Sequence, residues 1–106
     1  MADEIIVLIT ASRQEEAALI GKTLVNERLA ACVNIVSDVR SIFTWEGKVQ
    51  DDSETLLIVK SRIPLLDQVT IRVKSLHSYT VPEIIALPII GGSADYLKWL
   101  RGATRT

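Results

Sequence analysis

The chain has one cysteine and one histidine, Cys32 and His77. That excludes an internal disulfide, and it excludes a four-ligand zinc site of the Cys/His kind within one chain. Any metal site must draw on carboxylates or on ligands from several subunits. Lys and Arg are scattered, and the formal net charge is only -1. Nucleic-acid binding leans on clustered bases that release counterions, so no nucleic-acid partner is expected. The apolar runs are too short and too often interrupted to span a bilayer, so no membrane partner is expected either. Met1-Ala2-Asp3-Glu4 opens with acids and leads straight into strand-like residues. A secretory signal would have a basic start and a longer apolar stretch, and a cytoplasmic location is the expectation. Enzyme signatures are also sparse. No P-loop or dinucleotide fingerprint occurs, and no Ser or Cys nucleophile can be paired with a His and an acid. Thr10-Ala11-Ser12-Arg13 lacks the glycines of a phosphate cradle and reads as a helix start. The expectation is a protein that is not an enzyme and has no obligatory cofactor.

Aromatic residues are few as well, two Trp, two Tyr and one Phe, yet the mean hydropathy is +0.27. The surplus is aliphatic. It fills a dense core or covers surface that another subunit hides. The 106 residues show no composition shift, repeat or linker, so they read as one domain over residues 1–106.

Ile5-Ile6-Val7-Leu8-Ile9 is a β-branched run of the kind buried on both faces of a central strand. Ser12 with Glu15 predicts a capping box for a helix whose stripe is Ala17, Ile20, Gly21, Leu24 and Val25. Residues 31–36 read as a strand that continues through Val39–Trp45 after a break at Ser37-Asp38. Glu46-Gly47-Lys48 is a turn signal, and Glu54–Lys60 is the returning strand of a long hairpin. Pro64 suits a helix start, followed by Leu66, Val69, Val73 and Leu76. Pro82 biases Val81 towards an extended conformation, so that helix should have ended. Ile84–Leu87 is a final strand, which Pro88 assigns to a sheet edge. Ser93 caps a short helix over residues 94–100. The order β-α-β-β-α-β predicts an α+β, ferredoxin-like domain with both helices on one face of an antiparallel sheet. The opposite face then needs cover.

Four segments resemble the CutA family of divalent-cation tolerance proteins: residues 27–35 (ERLAACVNI), 41–48 (SIFTWEGK), 76–84 (LHSYTVPEI) and 96–100 (YLKWL). They stand in the family's order between about Ile5 and Leu100. Phe43 occupies a position where Tyr is common, and Ser78 one where Pro is usual. The resemblance implies a homotrimer of ferredoxin-like subunits, similar in architecture to PII signalling proteins, and a role in tolerance of copper and other divalent cations. Some members place a cysteine where this chain has Ile9 and a second histidine where it has Leu76. Copper held by those groups is unavailable here, which leaves weak binding as the expectation.

Cys32, His77 and Glu83 are the candidate metal ligands, the first two as soft or borderline donors. Cys32 also reads as a buried strand residue. His77 also reads as the end of a helix, favoured by the helix dipole. Trp45, Lys60, His77, Tyr79 and Glu83 form a second candidate set. In a trimer the hairpin of one subunit could meet the connector of another and make a cleft for a small anionic or zwitterionic ligand. The alternative makes Trp45 and Tyr79 interface anchors and Lys60–Glu83 an ion pair. Glu46 and Glu54 read as hairpin charges able to join a cation site. Three functions remain open: weak cation binding in tolerance, a PII-like sensor with an inter-subunit cleft, and a ligand-free interaction scaffold.

Overall fold

A computed structural model describes residues 2–105. Four strands, β1 (Glu4–Ala11), β2 (Cys32–Trp45), β3 (Lys48–Arg62) and β4 (Ile84–Pro88), form one sheet in the order β2-β3-β1-β4. All neighbouring pairs are antiparallel. The helices α1 (Gln14–Asn26) and α2 (Leu66–Leu76) cover one face, and α3 (Ala94–Ala103) closes the chain. The ferredoxin-like α+β order read from the sequence is present, with Pro88 on the edge strand.

Because side chains alternate along a strand, β1 sorts its residues cleanly. Ile5, Val7 and Ile9 are almost wholly buried and pack with Leu57 and Val59 of β3 against α1 and α2. Ile20 and Leu24 of α1 and Val69 and Val73 of α2 complete that layer with no exposed surface. The other face of the sheet carries Ile6 and Leu8, which pair with Leu87 and Ile85 of β4; on β3 it carries Ile58, opposite Leu8, and Leu56, opposite Thr10. Only one end of it is covered. There α3 buries Leu100, and Arg101 reaches Glu4 at 3.2 Å. Towards the β4 edge, Ile85 and Leu87 stay 52% and 48% exposed, so this chain alone leaves an apolar face wet.

The hairpin is longer than the sequence suggested. β3 begins at Lys48, six residues before Glu54, and a register shift between Val36 and Val39 absorbs the break at Ser37-Asp38. Trp45 pairs directly with Lys48 around a two-residue turn in which Glu46 and Gly47 both have positive φ, 50° and 77°. That is the primed turn whose twist matches the strands. The capping box is corrected. Arg13 is the N-cap of α1 and no side chain caps it. The first-turn acid with a structural task is Glu16, whose carboxylate turns to the connector after α2. Ser93 caps α3 as expected, accepting from the Tyr96 N–H. No helix among the described residues is long and apolar enough to cross a membrane.

Candidate functional site

The connector between α2 and β4 is built by hydrogen bonds that its own residues and Glu16 supply. The Ser78 N–H donates to Glu16 Oε1 at 3.0 Å, and its hydroxyl donates to Oε2 at 3.2 Å. The His77 side chain is fully buried. Its Nδ1 accepts the Tyr79 N–H at 3.0 Å, so the ring proton sits on Nε2, which faces the Thr10 carbonyl at 2.7 Å. Both ring nitrogens are engaged by backbone. Tyr79 stacks obliquely on His77, with ring centroids 4.7 Å apart, and its hydroxyl donates to Glu54 Oε2 at 2.8 Å. Burial, the bond to Glu54 and the charges of Glu54, Glu16 and Asp52 push the Tyr79 phenol well above the ordinary tyrosine range. The phenol is therefore a lasting donor.

Tyr79, Thr80, Val81 and Glu83 face the inner side of the hairpin across a concavity of about 760 Å³. The hairpin contributes Ile42, Phe43 and Trp45 from β2, and Gln50, Asp52 and Glu54 from β3. Asp52 and Glu54 share a face of β3 because they are two residues apart. Three carboxylates line the space, and no Lys or Arg does.

Of the second candidate set, Trp45, Tyr79 and Glu83 meet at this concavity within a single chain. His77 stands behind it, holding Tyr79 through the backbone. Lys60 does not reach it. Its Nζ bonds to Asn34 Oδ1, and no Lys60–Glu83 ion pair forms in this chain. A space with carboxylates and no cation disfavours a small anion, because like charges repel in a partly desolvated site.

The proposed metal set does not converge in one chain. Cys32 pairs with Lys60, whereas Thr10, which holds His77, pairs with Leu56. Four residues along β3 separate those levels, about 13 Å. The Cys32 thiol lies by Asn34 Oδ1 at 3.8 Å and raises the phenol pKa of Tyr96, behind burial as the larger cause. Among the described residues no three His, Cys, Asp or Glu side chains are placed to hold one metal ion.

Sequence reasoning missed Glu16 and Asp52. Nothing local distinguishes Glu16 from Glu15, the other acid in the first turn of α1. Asp52 was lost because the strand was started too late; extending the alternation back from Glu54 would have put it on the same face.

Residues 5–103 match the family described as CutA1 divalent ion tolerance protein. This chain belongs to that family. It is 54% identical over 101 residues to the divalent-cation tolerance protein CutA of Thermus thermophilus, covering 95% of this chain and 98% of that protein. It is 52% identical to the chloroplastic protein CutA of Arabidopsis thaliana, again over 95% of this chain but only 56% of that protein. The chain thus spans little more than half the length of some relatives. A solved CutA1 structure from Thermus thermophilus superposes with a TM-score of 0.94 at 53% identity, covering 96% of this chain and 99% of that one. CutA1 from Oryza sativa superposes equally well, with a TM-score of 0.94 at 49% identity, over 98% and 95% of the two chains.

Proposed function

We propose that this CutA1 chain serves divalent-cation tolerance without catalysis, as a homotrimer that binds copper or similar ions weakly. The observation that supports it is the acidic lining, in which Asp52, Glu54 and Glu83 border one concavity with no Lys or Arg beside them. Carboxylates and water make a hard-donor environment, and among divalent first-row metals copper(II) binds such groups most strongly. The carboxylates do not close on a point, so an ion keeps part of its water shell and binds weakly. The apolar face bearing Ile85 and Leu87 supports the trimer, since its exposure is relieved when identical copies cover it. A cytoplasmic location belongs to the same proposal; relatives carry names that place them in chloroplasts or the periplasm.

Copper(II) titration of wild type and Glu54→Gln tests the cation site. We expect affinity to fall several-fold in the variant. Equal affinities would remove the acidic concavity from the proposal.

The sensor reading is favoured by the size of the space, which falls within the range of small-molecule sites. Its ligand would carry positive charge, not negative. Silence with both metals and metabolites would leave a scaffold.

A further inference from the structure

Glu54 lines the concavity, and its residue surface is only 7% exposed. Oε2 is held by the Tyr79 hydroxyl, while Oε1 has no hydrogen-bond partner among the described residues. Among the described residues no fully enclosed side-chain oxygen lacks a partner, so Oε1 keeps an opening, and Glu54 lines the concavity. Within one chain the charge has no Lys, Arg or His within ion-pair distance among the described residues. A carboxylate this buried and without a countercharge is costly unless a cation reaches it.

A bare metal ion uses only part of what is there. The three carboxylates are spread out, not convergent. The same concavity is lined by the rings of Phe43, Trp45 and Tyr79 and by Ile42 and Val81. Aromatic rings attract an ammonium group within about 6 Å of the centroid, most strongly when water is excluded. Apolar wall between separated charges suits methylenes between separated ammonium groups.

We propose that the concavity binds a linear alkylammonium ligand, a di- or polyamine. One ammonium meets Glu54 beside Tyr79, the chain runs past Trp45 and Phe43, and further ammonium groups meet Asp52 or Glu83. This shares the acidic lining with the metal reading but needs the rings, so the two fail separately.

Spermidine and Mg²⁺ are titrated separately into the full-length protein in its native assembly, followed by calorimetry, for wild type, Trp45→Leu and Glu54→Gln. Trp45 lies near the hairpin turn and is 44% exposed, so its replacement leaves the core untouched. We expect saturable spermidine binding in wild type. In Trp45→Leu the ratio of spermidine to Mg²⁺ affinity falls at least about fivefold, the order of one cation–π contact. In Glu54→Gln, spermidine binding weakens about tenfold or more. No saturable spermidine binding overturns the proposal even if Mg²⁺ binds. An unchanged ratio in Trp45→Leu overturns it too, since the attraction is then only charge.

Discussion

Tyr79 and Glu54 come from the connector and from mid-hairpin, and a 2.8 Å hydrogen bond joins them in the lining of the concavity. The hydroxyl donates, and the carboxylate is the more buried of the two residues. Tyr79→Phe removes the donor and leaves Glu54 short of a partner. We expect a loss of about 1–2 kcal/mol in urea unfolding at neutral pH.

The same bond predicts an alkaline effect. The Tyr79 phenol is raised in the folded state, so its contribution is complete below the unfolded tyrosine value, about pH 10. It is lost as pH rises towards the folded value, because the unfolded chain releases the proton first. Wild-type stability should therefore fall above that pH more steeply than that of Tyr79→Phe. Parallel curves would mean that Tyr79 titrates normally.

His77 is predicted to be structural. Both ring nitrogens face backbone groups, and the side chain is buried. His77→Ala should cost about 1–3 kcal/mol, since the Thr10 carbonyl and the Tyr79 N–H lose their partner. Its copper affinity should match wild type in the folded protein. A clear loss of copper binding with the fold intact would restore the histidine as a ligand.

Ser78 separates two contributions to the connector. Ser78→Ala removes only the hydroxyl donor to Glu16, whereas Ser78→Pro removes the N–H donor as well. We expect the proline variant to be less stable than the alanine variant by about 1 kcal/mol in thermal unfolding. Proline at least as stable as alanine would show that its rigid backbone outweighs the lost bond.

The open sheet face predicts assembly. Sedimentation at micromolar concentration should show one trimeric species. Leu87→Glu places a charge on the apolar face that one chain leaves half exposed, so it should dissociate the trimer without unfolding the subunit. A wild-type monomer would remove the physical reason offered for that face.

Much of the fold was legible because period-two and period-3.6 patterns are local. Ile5, Val7 and Ile9 announced a buried strand, and Ile20 and Leu24 a helix that packs on it. The helix start was misplaced because Ser12 and Glu15 match a capping box in type and spacing. Which acid is used depends on where the connector passes, and it passes Glu16.

The sequence alone determined the order of elements, the apolar excess, and the scarcity of soft metal ligands. Each follows from composition or from a short repeat along the chain. Only the tertiary structure decided that His77 is spent on Thr10 and Tyr79, that Cys32 lies at another level of the sheet, and that Asp52, Glu54 and Glu83 share one concavity. Those are contacts between residues far apart in sequence, set by strand register and by the path of one connector, and no local pattern carries them.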